Sequence, residues 1–191
     1  MAVYVKSELP AARSLAPAVR ADAYSLMRLL GLSKAELSAV LTGDAPIRRL
    51  NREFRGKDAA TDVLSFPQFD SLSEAQAAAN AAPAPLGDIV ISIETAARQA
   101  AELRIETLAR VRTLLIHGLL HLLGYDHERS AADARRMYAR ERVLAAAIAS
   151  GGERPNGGAG VGHHRNWPPA AMPPASARHI AKAPRARARA H

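Results

Sequence analysis

Residues 117–127 read HGLLHLLGYDH and hold three of the chain's seven histidines, while the other four lie beyond residue 160. The segment ETLARVRTLLIHGLLHLL reads as one helix, which puts His117 and His121 on the same element. At about 100° per residue, side chains four apart differ by only about 40° around the axis, so the two rings face one point. His127 comes six residues after His121, and continued helix would swing it about 240° away. Convergence therefore requires the helix to stop between them. Gly124 stands where the stop is needed, because glycine takes the left-handed C′ conformation without a Cβ clash. Three neutral imidazoles can then meet one metal ion and leave a fourth position for water or substrate, the arrangement of a catalytic site.

Other compositional facts narrow the chemistry. The chain has no cysteine, which removes disulfide frameworks and thiolate ligands and leaves histidine and carboxylate as metal donors. The spacing HxxxHxxGxxH is that of metzincin zinc proteases, whose general base is a glutamate directly after the first histidine. Here that position is Gly118, so a zinc peptidase reading lacks its base.

The formal charge is +8, but residues 151–191 hold seven Lys or Arg against one acid, Glu153, and so account for +6 of it. Net charge is therefore weak evidence of nucleic-acid binding by the body of the chain. This Pro-, Ala- and Arg-rich segment is expected to be a disordered basic tail, with His163 and His164 solvated within it. No secretory signal is visible at the N-terminus, and the longest apolar run is far shorter than the roughly 20 residues that span a bilayer. The expectation is a cytoplasmic protein with no membrane contact.

Within residues 1–150 helical and strand patterns alternate. MAVYVKSE, ELSAVLTGD, VLSFP and GDIVISI read as strands. SLAPAVRADAYSLMRLLGL reads as a helix closing at Gly31, and APIRRLNREF as a helix capped by Asp44. ETAARQAAEL, the histidine helix and SAADARRMYARERVLAAAI complete the set, with Ser130 and Asp133 forming a capping-box-like start to the last. Residues 71–85, SLSEAQAAANAAPAP, are expected to be an inserted loop. The fold class is thus α+β: a single domain over 1–150, with an about four-stranded mixed sheet packed with about five helices.

Three blocks, NREFRGKDAATDVLSFP (51–67), LGDIVISIETA (86–96) and HGLLHLLGYDH, in this order and spacing, resemble the YbeY family of endoribonucleases and rRNA maturation factors. The resemblance covers about residues 36 to 148. It implies one zinc ion held by His117, His121 and His127, with His117, His121 and Arg55 in the catalytic set. It further implies cleavage of single-stranded RNA in small-subunit rRNA 3′-end maturation and ribosome quality control. The implied partners are rRNA and the small ribosomal subunit, with a ribosomal protein or GTPase beside them. Read without the resemblance, Arg55 is a solvated charge after a helix; the resemblance makes it the arginine that meets RNA phosphate. Where the family commonly has proline before the threonine of the RGKD block, this chain has Ala60. Asp126 and Asp88 either orient a ligand or the attacking water, or serve a turn and a strand start. Asp62 and Ser65 flank a strand and are candidates to support the cleft. The competing reading is a non-catalytic ribosome assembly factor with a structural metal.

Overall fold

The computed structural model describes residues 1–150; the expected tail and its histidines lie outside them. The strands are β1 (Ala2–Ser7), β2 (Ala35–Thr42), β3 (Val63–Pro67) and β4 (Ala84–Ser92). They form one sheet in the order β1-β2-β4-β3, with β1, β2 and β4 parallel and β3 antiparallel to β4. The helices are α1 (Ala16–Leu29), α2 (Asp44–Arg55), α3 (Leu72–Ala81), α4 (Ile93–Leu103), α5 (Thr107–Leu122) and α6 (Ala131–Ala149). The α+β class and the four-stranded mixed sheet agree with the sequence-based expectation.

Alternation along the strands divides the core into two layers. Ile89 and Ile91 of β4 join the large aliphatic core with Leu115 and Leu119 of α5, Leu26 of α1 and Met137 of α6. Val90, between them, turns to the opposite face and packs with Ile47 of α2, Leu64 and Phe66. The ring of Phe54 meets Phe66 edge-on, 5.1 Å between centroids, and this anchors the C-terminal end of α2 to β3. Helix α5 is buried almost throughout its second half, which explains why its sequence lacks a polar stripe.

Two expectations are corrected. Residues 71–85 are not an inserted loop: they form α3 and the first residues of β4. Ser71 caps α3 by accepting from the Glu74 amide at 3.2 Å, and alanine, the best helix former, suits the body. Ala75 and Ala79 are fully buried, so the absence of large apolar residues allows a close approach to the sheet rather than marking a loop. This helix raises the α count from about five to six. Asp44, in turn, is the first residue of α2 and not its cap, which is Gly43. Its carboxylate accepts from Ser92 Oγ at 2.5 Å and Thr95 Oγ1 at 2.6 Å at the start of α4. Glu94 returns the favour by accepting from the Asp44 amide at 2.6 Å, so two helix N-termini exchange carboxylates. The Ser130 cap is as expected, accepting from the Asp133 amide at 3.0 Å.

Candidate metal centre

The histidine helix stops where the spacing argument places it. Gly124 has φ +80°, its amide donates to His121 O at 3.1 Å and the Tyr125 amide to Leu120 O at 3.1 Å. These are the two bonds of a Schellman motif. A Cβ on Gly124 would sit 2.0 Å from Asp70 O, so glycine is required by space as well as by φ. The backbone just before α3 thus braces the turn that returns the third histidine.

The turn brings the rings together. Centroid distances are 4.5 Å for His117 and His121, and 5.2 Å from each to His127. One nitrogen from each ring lies within 4.8 Å of the others. His117 Nδ1 is 2.7 Å from Glu141 Oε1, and His121 Nδ1 is 2.8 Å from Tyr125 O. A carboxylate and a carbonyl only accept, so each Nδ1 carries a proton and each ring turns its Nε2 inward. Those two Nε2 atoms are 3.0 Å apart. Two lone pairs repel at that distance unless a proton or a cation lies between them. The His127 Nδ1 is buried with no hydrogen-bond partner among the described residues.

The donor set fits zinc. Nitrogens about 2.0–2.1 Å from a tetrahedral ion lie about 3.4 Å from one another; here His117 and His121 Nε2 are 3.0 Å apart and the His127 nitrogen lies within 4.8 Å of both. The partners of Nδ1 are those that orient metal-bound histidine in general. Burial, followed by the nearby His117 and His127, lowers the pKa of His121 from 6.5 to about 3, outweighing the Tyr125 carbonyl and Asp126. His121 is therefore neutral and ready to donate its lone pair at physiological pH.

Gly118 is now explained in steric terms. A Cβ there would meet Ile89 Cγ2 at 2.9 Å and Ser65 Oγ at 3.0 Å, so this point of α5 lies directly on the sheet. Ser65, a candidate to support the cleft, is buried against Gly118, the residue after the first histidine.

Arg55 ends α2 and is half-buried. Desolvation lowers its pKa, and the carboxylate of Glu128, the residue after His127, acts in the other direction. Arg55 and Glu128 are thus near enough for their charges to interact. Asn51 Nδ2 donates to Ala59 O at 2.7 Å and holds the loop that follows Arg55. Of the other candidates, Asp126 serves the turn, accepting from the Glu128 amide at 2.9 Å and Arg129 Nε at 3.2 Å. Asp88 alternates with Ile89 along β4 and is exposed on the face away from α5. Asp62 is buried beneath the sheet edge, where it pairs with Arg110.

Glu141 was not among the residues singled out in the sequence. It lies on α6 at helical spacing from the buried Met137 and Leu144, and an acid on the apolar side of a helix is a signal the sequence does carry.

The fold and the centre define a class: an α+β domain in which a helix ended by glycine gathers three histidines able to hold a metal ion. The family model described as Endoribonuclease YbeY matches residues 14–149, and the chain belongs to the YbeY family. An Endoribonuclease YbeY of Anaeromyxobacter sp. is 52% identical over 147 residues, covering 77% of this chain and 72% of the relative. One from Geobacter sulfurreducens is 46% identical over 139 residues, covering 70% of this chain and 87% of its own. The solution structure of a Thermotoga maritima protein has the same fold, with a TM-score of 0.56 at 22% identity over 78% of this chain and 90% of that one.

Proposed function

We propose that the protein is a metal-dependent endoribonuclease that cuts single-stranded RNA, with one zinc ion on His117, His121 and His127. The observation that carries this reading is the inward pair of Nε2 atoms 3.0 Å apart, each held by an acceptor on its Nδ1. The relatives named above as endoribonucleases supply the substrate class. When bound, such an ion polarises a phosphoryl oxygen or lowers the pKa of its water toward about 7. Glu141 and the Tyr125 carbonyl keep the Nδ1 protons in place and aim the lone pairs. Arg55 offers a guanidinium that stays charged at any physiological pH and, partly desolvated, meets the negative charge that develops on phosphate. Gly118 supplies no side chain to act as base, which sets the site apart from a peptidase. The biological substrate in this reading is the 3′ end of small-subunit rRNA, in maturation and quality control. The small subunit, with a ribosomal protein or GTPase, is the partner, and the setting is the cytoplasm.

Purified protein incubated with single-stranded and structured rRNA fragments tests the reading. Cleavage of the single-stranded fragments should be lost with chelator and in H117A and H121A, and cleavage that survives both replacements would sink the proposal. Gly118 in place of a base favours one alternative, an assembly factor with a structural metal. That reading predicts small-subunit binding that persists in the histidine variants, with no cleavage by the intact protein.

A further inference from the structure

Helix α2 carries a second feature that the metal centre does not use. Arg48, Arg52 and Arg55 fall within about 60° of one another around its axis at 100° per residue. Ile47 and Asn51 are buried against the sheet. Arg48 and Arg52 are largely exposed, with side chains 55% and 62% accessible. Successive arginines rise about 6 Å per four residues, a spacing suited to neighbouring phosphates of an extended strand. The row ends at Arg55, whose charge interacts with that of Glu128, the residue after His127.

The far end is held by one carboxylate. Asp58 accepts from Arg48 Nε and Nη2, both at 2.8 Å, and lies 3.9 Å from Arg52 Nη1. This fork geometry is the one by which a guanidinium grips phosphate. Exposed pairs of this kind are weak, about 0–1 kcal/mol, and so are readily exchanged for another anion.

We propose that Arg48, Arg52 and Arg55 form a track for the phosphate backbone of single-stranded RNA leading to the histidine centre, with Asp58 occupying its far end until a phosphate displaces it. The proposal rests on the RNA reading above and adds the path of the strand. No aromatic side chain interrupts the row on its own helix face, so the track grips charge and not base identity.

The test uses the full-length, metal-loaded protein and a fluorescent 2′-O-methyl oligouridylate, long enough to run the length of α2 and resistant to cleavage. Its anisotropy is followed over a potassium chloride series. R52A should weaken binding about three-fold and reduce the salt slope by about 0.7, with R52E acting more strongly. D58N should tighten binding about three-fold and steepen the slope, and this gain should vanish when R48A is added. A dinucleotide, which cannot reach past the centre, should bind all variants alike. Unmoved affinity and slope in R52E and D58N, with unchanged thermal melting, would overturn the track and leave the row to an acidic protein surface. Cleavage of unmodified RNA is scored in parallel. Shifted slopes without cleavage by the wild-type protein support the track and count against the nuclease reading, whereas retained cleavage with unmoved slopes counts against the track alone.

Discussion

The two ends of α5 bury polar groups in opposite ways. Near its start, Arg110 is 4% exposed, donating from Nε to Gln99 Oε1 at 2.7 Å and from Nη2 to Asp62 Oδ2 at 3.1 Å. Asp62 Oδ1 in turn accepts from the Val63 amide at 2.9 Å and from Thr61 Oγ1 at 3.3 Å. Every contact sets a donor on an acceptor. Near the end of the same helix, His117 and His121 are equally buried, at 4% and 3% exposure, yet their Nε2 atoms face each other 3.0 Å apart, a contact that only a proton or a cation between them makes favourable. Burial of a polar group does not by itself mark function. What marks it is a pair of ring nitrogens aimed at each other, which only a proton or a cation between them reconciles.

The largest test of this contrast removes each end in the metal-free protein. R110A strands Asp62 as a buried charge and should cost about 3–5 kcal/mol in urea unfolding. H121A removes one of two facing ring nitrogens and leaves no buried charge unpaired, and should cost clearly less. Equal losses would mean that the histidines are packing residues and would erase the distinction.

Next in size is Gly118→Ala. The added methyl meets Ile89 and Ser65 inside van der Waals distance, so α5 must lift from the sheet at about 1–3 kcal/mol. Because His117 is the preceding residue, metal affinity should fall in the same variant. A fall in stability with affinity unchanged would uncouple the helix seat from the centre. Glu141→Gln is more selective: it keeps the shape but removes the carboxylate on His117 Nδ1. Zinc affinity measured by competition with a chromophoric chelator should drop about 10- to 100-fold. Unchanged affinity would show that packing alone orients His117.

The contrast between the ends also governs what the sequence reveals. The centre is written in one local segment: helix spacing relates His117 to His121, and Gly124 returns His127, so eleven consecutive residues suffice. The strands are equally local, because β-branched runs between turn residues need no partner to be recognised. What spacing does not carry is pairing across the chain. Asp62 and Arg110 are 48 residues apart and His117 and Glu141 are 24 apart, and only the fold joins them. Asp44 misleads for the same reason, since a carboxylate before a helix looks like its cap until the start of α4 claims it. Residues 71–85 mislead because alanine signals both a loop without a core face and a helix close to a sheet, and depth of packing decides between them.

The smallest expected effect is a pH dependence confined to the histidine end. In the unfolded chain His121 titrates near 6.5, whereas burial and its neighbouring rings lower it to about 3 in the fold. Between those values the unfolded chain holds a proton that the folded one refuses. Stability of the metal-free protein therefore falls as pH drops, by at most about 1.4 kcal/mol per unit. From pH 6.5 to 5 the loss should reach about 1.6 kcal/mol, read from urea midpoints at each pH. The H121N variant should lose most of this slope, while R110A, though far less stable, should keep it. A slope absent from the wild-type protein, or one that R110A removes and H121N retains, would place the titrating group at the other end of α5 and reverse the comparison.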